Sequence, residues 1–254
     1  MKHLERLTKA LADLSSGRGG TPTGEGVMNN PRRNSPLLLP LLVAVANLTL
    51  TSVLSAQVER TSRDEWQKVD EIFAAMGVSP GDSVADVGAG GGFLSVRLSH
   101  AVGEQGRVYA EDITGRAIRE LTEQMGNLSI NNVEPVLGDT DDPKLPPGKL
   151  DAVVIVNAYH EMTQHESMLA GIWKSLQPGG RLVIVDNPPG DSTASRRSQV
   201  RAHDIHIGLV EQDLVAAGFE ILESRPDFIN TGSGRGRHRQ WMLVAGKPSG
   251  ESRG

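Results

Sequence analysis

The sequence predicts an α/β fold, a mostly parallel sheet with helices on both faces. Three observations carry that expectation. From about residue 57, helical and strand patterns alternate along the chain, and strands separated by helices return parallel. The segment Leu150–Val156 (LDAVVIV) is a continuous, largely β-branched run, which suits a central strand buried on both faces. A glycine-rich turn at residues 88–92 stands where the first strand gives way to a helix. With 254 residues, 38% hydrophobic and 22% charged, the chain is long enough for one such domain and gives no reason to invoke a second.

The elements follow in order. Ser62-Arg63-Asp64-Glu65 has capping-box spacing, and Trp66, Val69, Ile72, Phe73 and Met76 continue at helical intervals until Gly77. Pro80-Gly81-Asp82 makes a turn into a short buried strand at residues 83–87. A second strand fits residues 107–111, then a helix at 114–125 carries Ile118 and Leu121 inward, and a third strand fits 133–137. After the fourth strand, Met168, Leu169, Ile172, Trp173 and Leu176 form one face of a helix expected to stop at Pro178-Gly179-Gly180. Residues 181–185 read as a fifth strand, 211–217 as a helix ending at Gly218, 219–223 as a sixth strand and 240–245 as the last. Only a Gly/Arg-rich segment, 231–239, joins the last two strands. With no crossover helix between them they must pair antiparallel.

Residues 1–56 differ from the rest. Residues 1–27 are polar and end Gly-rich; from Met28 come basic Arg32 and Arg33, a mostly apolar stretch at 37–54, and the small residues around Ser55-Ala56. That order predicts a leader over 1–56 with a signal peptide at 28–56, cleaved after Ala56, and a domain over 57–254. Counted from Met1 the basic region is too long, so translation is expected to start at Met28. Pro40, Asn47, Thr49 and Thr51 weaken the stretch as a permanent membrane span. The expected location is therefore periplasmic or otherwise extracytoplasmic, or membrane-anchored if the leader stays on; a mis-assigned start with a harmless leader leaves a cytoplasmic protein. A net charge of −5 and 4% aromatic residues argue against a nucleic-acid partner. The absence of cysteine excludes disulfides, thiolate metal sites and cysteine nucleophiles.

The chemistry concentrates at strand ends. Glycines in Val87-Gly88-Ala89-Gly90-Gly91-Gly92 let backbone approach a ligand closely, and the start of the following helix favours an anion. A dinucleotide fingerprint starting at Gly88 needs glycine or alanine at position 93; Phe93 stands there, which counts against the alternative of a nicotinamide-dependent oxidoreductase. The spacing present, Asp86, Gly88, Gly90, Gly92, resembles motif I of the class I S-adenosylmethionine-dependent methyltransferases. The resemblance extends over most of the chain after residue 60. Leu137-Gly138-Asp139-Thr140 resembles the family's segment after the third strand, Leu150-Asp151-Ala152-Val153-Val154 its fourth-strand entry, and Leu176-Gln177-Pro178-Gly179-Gly180 the turn before its fifth.

This likeness implies a Rossmann-like seven-stranded sheet with an antiparallel last strand, and S-adenosyl-L-methionine as cofactor. The cofactor would lay its carboxylate at the helix start beside Gly88, Ala89, Gly90 and Gly92, and its ammonium near Asp86. Asp112, with Glu111 as the neighbouring choice, would accept from the ribose hydroxyls, and Asp139-Thr140 would meet the adenine. Residues past the family's fourth strand line the methyl-transfer site. Here His160 or Glu161 could take the acceptor's proton, while Tyr159 or Asn157 could orient the acceptor. The implied function is methyl transfer to an acceptor, expected to be a small molecule; a protein that binds the cofactor without catalysis is the other alternative. No metal is expected, because the pair His203 and His206, three apart, lacks a third ligand. The run Arg235, Arg237, His238, Arg239 reads as a solvated loop that could also contact an acidic acceptor or an anionic membrane surface. Nothing in the sequence sets the oligomeric state.

Overall fold

The structure is a computed structural model that describes residues 61–232 and 238–250. The leader, its cleavage point, Arg235 and Arg237 lie outside the described residues.

Seven strands form one sheet: β1 (Ser83–Val87), β2 (Arg107–Asp112), β3 (Val133–Leu137), β4 (Leu150–Val156), β5 (Leu176–Asp186), β6 (Glu220–Thr231) and β7 (His238–Gly246), in the order β3-β2-β1-β4-β5-β7-β6. Strands β1 to β5 are parallel to one another, and β7 runs antiparallel to both β5 and β6. The expected Rossmann-like sheet with an antiparallel last strand is what forms. From β1 the chain steps outward to β2 and β3, then returns to place β4 on the other side of β1. That reversal opens a crevice at the carboxyl ends of β1 and β4.

Alternation along the strands explains the unbroken apolar runs. On β4, Ala152 and Val154 enter one core layer while Val153 and Ile155 enter the opposite one; on β5, Val183 and Val185 oppose Leu182 and Ile184 in the same way. The first layer is closed by α2 (Val69–Met76), α3 (Phe93–Val102) and α4 (Gly115–Asn127), the second by α5 (His165–Ser175) and α7 (Ile207–Ala216). Each Leu or Ile so buried contributes about 1.5–3 kcal/mol relative to exposure.

Several elements depart from the sequence expectation; among them β6 runs on to Thr231 and α7 starts four residues early, at Ile207. The first helix is two, α1 (Ser62–Trp66) and α2, broken where Lys68 takes a left-handed backbone at φ 52°. Its capping box uses Thr61 and Asp64, one residue earlier than expected. Helix α5 ends at Ser175, and Pro178-Gly179-Gly180 lies inside β5 as a bulge, since the pairing jumps from Leu150↔Leu176 to Ala152↔Arg181. The short helix α6 (Arg196–Arg201), capped by the Ser195 side chain, had no sequence counterpart. Among the described residues no helix is long and apolar enough to cross a membrane.

Candidate active site

The loop from β1 to α3 turns through three left-handed glycines, Gly88, Gly90 and Gly92. Each has its own reason. A Cβ on Gly88 would lie 2.5 Å from the Ala158 Cβ, and one on Gly92 would lie 2.4 Å from Leu121 Cδ1, so both admit close packing. A Cβ on Gly90 would meet no protein atom within 4 Å. Gly90 instead faces a cleft of about 510 Å³ bounded by this loop, the end of β2 and the segment after β4. The first N–H groups of α3 point out of its start without helical partners, and the backbone N–H groups of Gly88 and Ala89 donate to the Glu111 carbonyl, which fixes the loop's course. Phe93, the residue that breaks the dinucleotide pattern, packs between the guanidinium groups of Arg63 and Arg97, 3.8 and 3.7 Å from its ring centre.

Two acids end β2 and divide their work. Asp112 accepts from the Gly90 N–H through Oδ2 (3.1 Å) and from Thr114 through Oδ1, so it ties the glycine loop to the start of α4 while lining the cleft. Glu111 points beneath the loop, accepting from the Gly88 N–H at 3.4 Å, and Oε1 has no partner. Burial, with Asp112 and Asp86 nearby, pushes its carboxyl up to about 8. Gly138 leaves it room: a Cβ there would lie 2.0 Å from Oε1. The expected roles of Asp86 and Asp139 meet a different arrangement. Asp86 is buried, accepts from Ser95 at 2.7 Å and is raised to about 6 by burial; it does not line the cleft. Asp139 is exposed and paired with Lys144 at 2.7 Å, whereas Thr140 reaches the cleft wall.

Beyond β4, Asn157 has a left-handed backbone (φ 56°) and accepts from Asn187 Nδ2 at 2.6 Å. It lines the cleft and also a second cavity of about 550 Å³, walled by Arg63, Trp66, Asn187, His238 and Gln240. Trp66 and His238 stack there with ring centres 3.9 Å apart, and Gln240 Oε1 is buried without a partner. Sequence reasoning missed this cavity, because its walls come from α1, β5 and β7. The residues 159–161 form a 3₁₀ turn. Tyr159, expected to orient an acceptor, is directed away: its hydroxyl donates to Asp213 on α7, and burial raises its pKa. A core position won that ring. His160 is buried as well. Asp186 at the end of β5 accepts from the His160 backbone N–H (3.0 Å) and from its Nδ1 (2.8 Å). In the neutral ring the bond to Asp186 places the hydrogen on Nδ1 and leaves the lone pair on Nε2. Burial alone would lower the His160 pKa, but the Asp186 bond and the charges of Asp186, Glu161 and Asp204 outweigh it and raise it. Glu161 lines the cleft.

The two histidines 203 and 206 do not share a helical face. His206 caps α7, accepting from the Gly208 N–H, while His203 sits in the preceding loop with Nδ1 3.3 Å from Glu161 Oε1. His160, Glu161 and His203 are therefore the described residues whose ligand atoms come together, all within 4.8 Å. Asp186, which organises this corner, was legible only as the acid ending a Val/Ile run.

The chain is similar to known proteins over part of its length. Residues 84–180 match the family described as Methyltransferase domain. The chain is 30% identical over 122 residues to the ubiquinone/menaquinone biosynthesis C-methyltransferase UbiE of Francisella tularensis subsp. novicida, covering 48% of each chain. It is 32% identical over 111 residues to the UbiE of Salmonella arizonae, covering 43% of this chain and 44% of that one. It thus spans about half the length of the curated relatives it matches. A SAM-dependent methyltransferase from Aquifex aeolicus superposes with a TM-score of 0.62 at 23% identity, over 74% of this chain and 94% of that one. Haemonchus contortus phosphoethanolamine N-methyltransferase 2, in complex with S-adenosyl-L-methionine, gives 0.58 at 16% identity, over 72% and 53%.

Proposed function

We propose that this chain, whose residues 84–180 match the Methyltransferase domain family, is a class I S-adenosylmethionine-dependent methyltransferase that transfers a methyl group to a small-molecule acceptor. The observation that carries the reading is the meeting of two cavities at Asn157: a cofactor-sized cleft over the glycine loop and a second cavity for the acceptor. The cleft fits S-adenosylmethionine. Gly90 leaves its backbone open to a ligand, the α3 start favours a carboxylate, and Asp112, with Glu111 beneath, supplies acceptors for ribose hydroxyls. Thr140 and Ile113, with Met162 and Met168, give the cleft a mixed polar and apolar wall that suits an adenine.

The bound cofactor would supply a sulfonium methyl with a thioether as leaving group, so the protein's task is alignment. Asn157, held by Asn187, lines both cavities and so stands between cofactor and acceptor. Trp66, stacked on His238, gives the acceptor a planar wall, and Arg63 and Arg239 give it positive charge. Activation of the acceptor falls to the His160–Glu161 corner, which opens on the cleft beside Asn157. The UbiE relatives are named for methylation in quinone biosynthesis, which favours a small acceptor here too.

The test uses methyl-labelled cofactor and a metabolite extract. Binding of S-adenosylmethionine in calorimetry, no binding of NADH, and label in a low-molecular-mass product are the expected results. Label only in macromolecules would overturn the acceptor class, and failure to bind the cofactor would overturn the whole reading.

A further inference from the structure

We propose that His160, Glu161 and His203 form a binding site for one zinc-type divalent cation at the edge of the cleft, with one coordination position left open toward it. The inference rests on the reading of the cleft as the methyl-transfer site and adds to it a means of activating the acceptor.

The geometry is that of a site prepared for an ion. Glu161 Oε1 lies 3.6 Å from His160 Nε2 and 3.3 Å from His203 Nδ1, and all three ligand atoms fall within 4.8 Å of one another. A tetrahedral ion with bonds near 2.0–2.2 Å sets its ligands roughly 3.3–3.6 Å apart, while an octahedral one of similar bond length brings them to about 3 Å. Two of the three spacings therefore sit at tetrahedral values.

The second observation is independent of spacing. His160 is 1% exposed, and its Nε2 has no hydrogen-bond partner. Because Nδ1–H is committed to Asp186, Nε2 turns a lone pair toward a carboxylate oxygen. In the neutral ring two acceptors then face each other across 3.6 Å, an arrangement that a cation between them would satisfy. A carboxylate fixing the far nitrogen of a histidine is also the outer shell that metal-binding imidazoles use, since it sets the tautomer and the ring orientation.

Charge points the same way. Asp186, Glu161 and Asp204 all face His160, and the Asp204 Oδ1 is buried without a partner. The ligands come from separate elements that the sheet edge holds together: His160 and Glu161 follow β4, His203 precedes α7, and the Asn187 side chain beyond β5 donates to the His203 carbonyl at 3.2 Å. Glu161 and His203 are 63% and 71% exposed at their side chains, which leaves an approach for the ion and its open position. An acceptor with an ionisable hydroxyl is the class that such a position would hold and polarise.

As a ligand, His160 Nε2 would hold the ion and not a proton, so no side-chain base would be needed: the acceptor's hydroxyl, made more acidic on the ion, would release its proton to solvent water at the exposed Glu161–His203 edge. The experiment uses the full chain, stripped with a chelator and titrated with zinc by calorimetry. A single equivalent should bind, and His203→Ala and Glu161→Gln, both at exposed side chains, should each weaken it at least tenfold. His206→Ala, three residues away on the cap of α7, should leave it unchanged. Cobalt in place of zinc should give the intense visible absorption of a tetrahedral ion. Absence of a one-to-one complex overturns the proposal, as does zinc binding that survives both ligand variants, or a weak six-coordinate cobalt spectrum. S-adenosylmethionine affinity, measured in the same samples, separates the two readings. Normal cofactor binding without zinc binding removes the ion and leaves the methyltransferase assignment intact, whereas lost cofactor binding in the unaltered protein removes the latter.

Discussion

Glu111 is a carboxyl that the fold keeps from water beneath the glycine loop, with its value raised from 4.5 to about 8 chiefly by burial. The folded state therefore keeps a proton that the unfolded chain has already released. Its contribution to stability is fully present below about pH 4.5 and is lost as pH rises to about 8, with a slope of at most roughly 1.4 kcal/mol per pH unit. Glu111→Gln should flatten that loss, and urea midpoints of both proteins across this window check it; parallel curves would show that Glu111 ionises normally. Its neighbour behaves differently. Asp112→Ala should weaken S-adenosylmethionine by about 2 kcal/mol, or about 30-fold, through lost charge-assisted bonds, with calorimetry on the folded variant as the check. Unchanged affinity would move the ribose contact to Glu111. Motif spacing made Asp112 legible, since it counts forward from Gly88. It could not say which of two consecutive acids is buried, because that depends on which strand face lies over Gly138. Nor could it find Asp186, whose meaning appears only when β5 stands beside β4 and meets His160.

At the scale of elements, the glycine loop separates binding from packing within five residues. Gly90→Val should place its branches in the cleft and abolish cofactor binding, at a cost of about 1–2 kcal/mol for a left-handed backbone. Gly92→Val, by contrast, should press its Cβ on Leu121 and destabilise the domain by about 1–3 kcal/mol or more, since α4 cannot yield without disturbing the core. Thermal melts and cofactor titration on both variants test the distinction. If Gly90→Val binds normally, the ligand does not cross the loop. Strands β1, β3 and β4 have the bounds that their patterns predicted; for β4 the reason is burial on both faces, which writes an unbroken apolar run, whereas β3 is an edge strand. Breaks and extensions were harder to read. Lys68 ends α1 without a glycine or proline to mark the place. The Pro178-Gly179-Gly180 turn is absorbed into β5 because the Gly179 N–H finds the Lys247 carbonyl and the strand then resumes. Strand β6 runs to Thr231 as half of a hairpin, and its alternating, half-exposed pattern loses contrast after Glu223.

For the whole molecule, the open question is where the domain works. We propose that the order from Arg32 to Ala56, basic then apolar then small, acts as an export signal, with the mature protein beginning at Gln57. Either processing route puts the domain on the same side: cleavage releases it there, and retention with Arg32 and Arg33 held on the cytoplasmic side anchors it there. The described helices add no further membrane span. Export carries a chemical consequence, since S-adenosylmethionine is made in the cytosol and an exported enzyme needs cofactor delivered with it or after it. Sequencing the N-terminus of the protein isolated from its native host, with cell fractions kept apart, decides the matter. A chain beginning at Gln57 in the extracytoplasmic fraction supports export and makes cofactor delivery the next thing to measure. An intact N-terminus in the soluble cytosol removes the export reading, puts the cleft beside its cofactor supply, and leaves the methyl-transfer assignment unchanged, because that rests on residues 84–180 and the cavities meeting at Asn157.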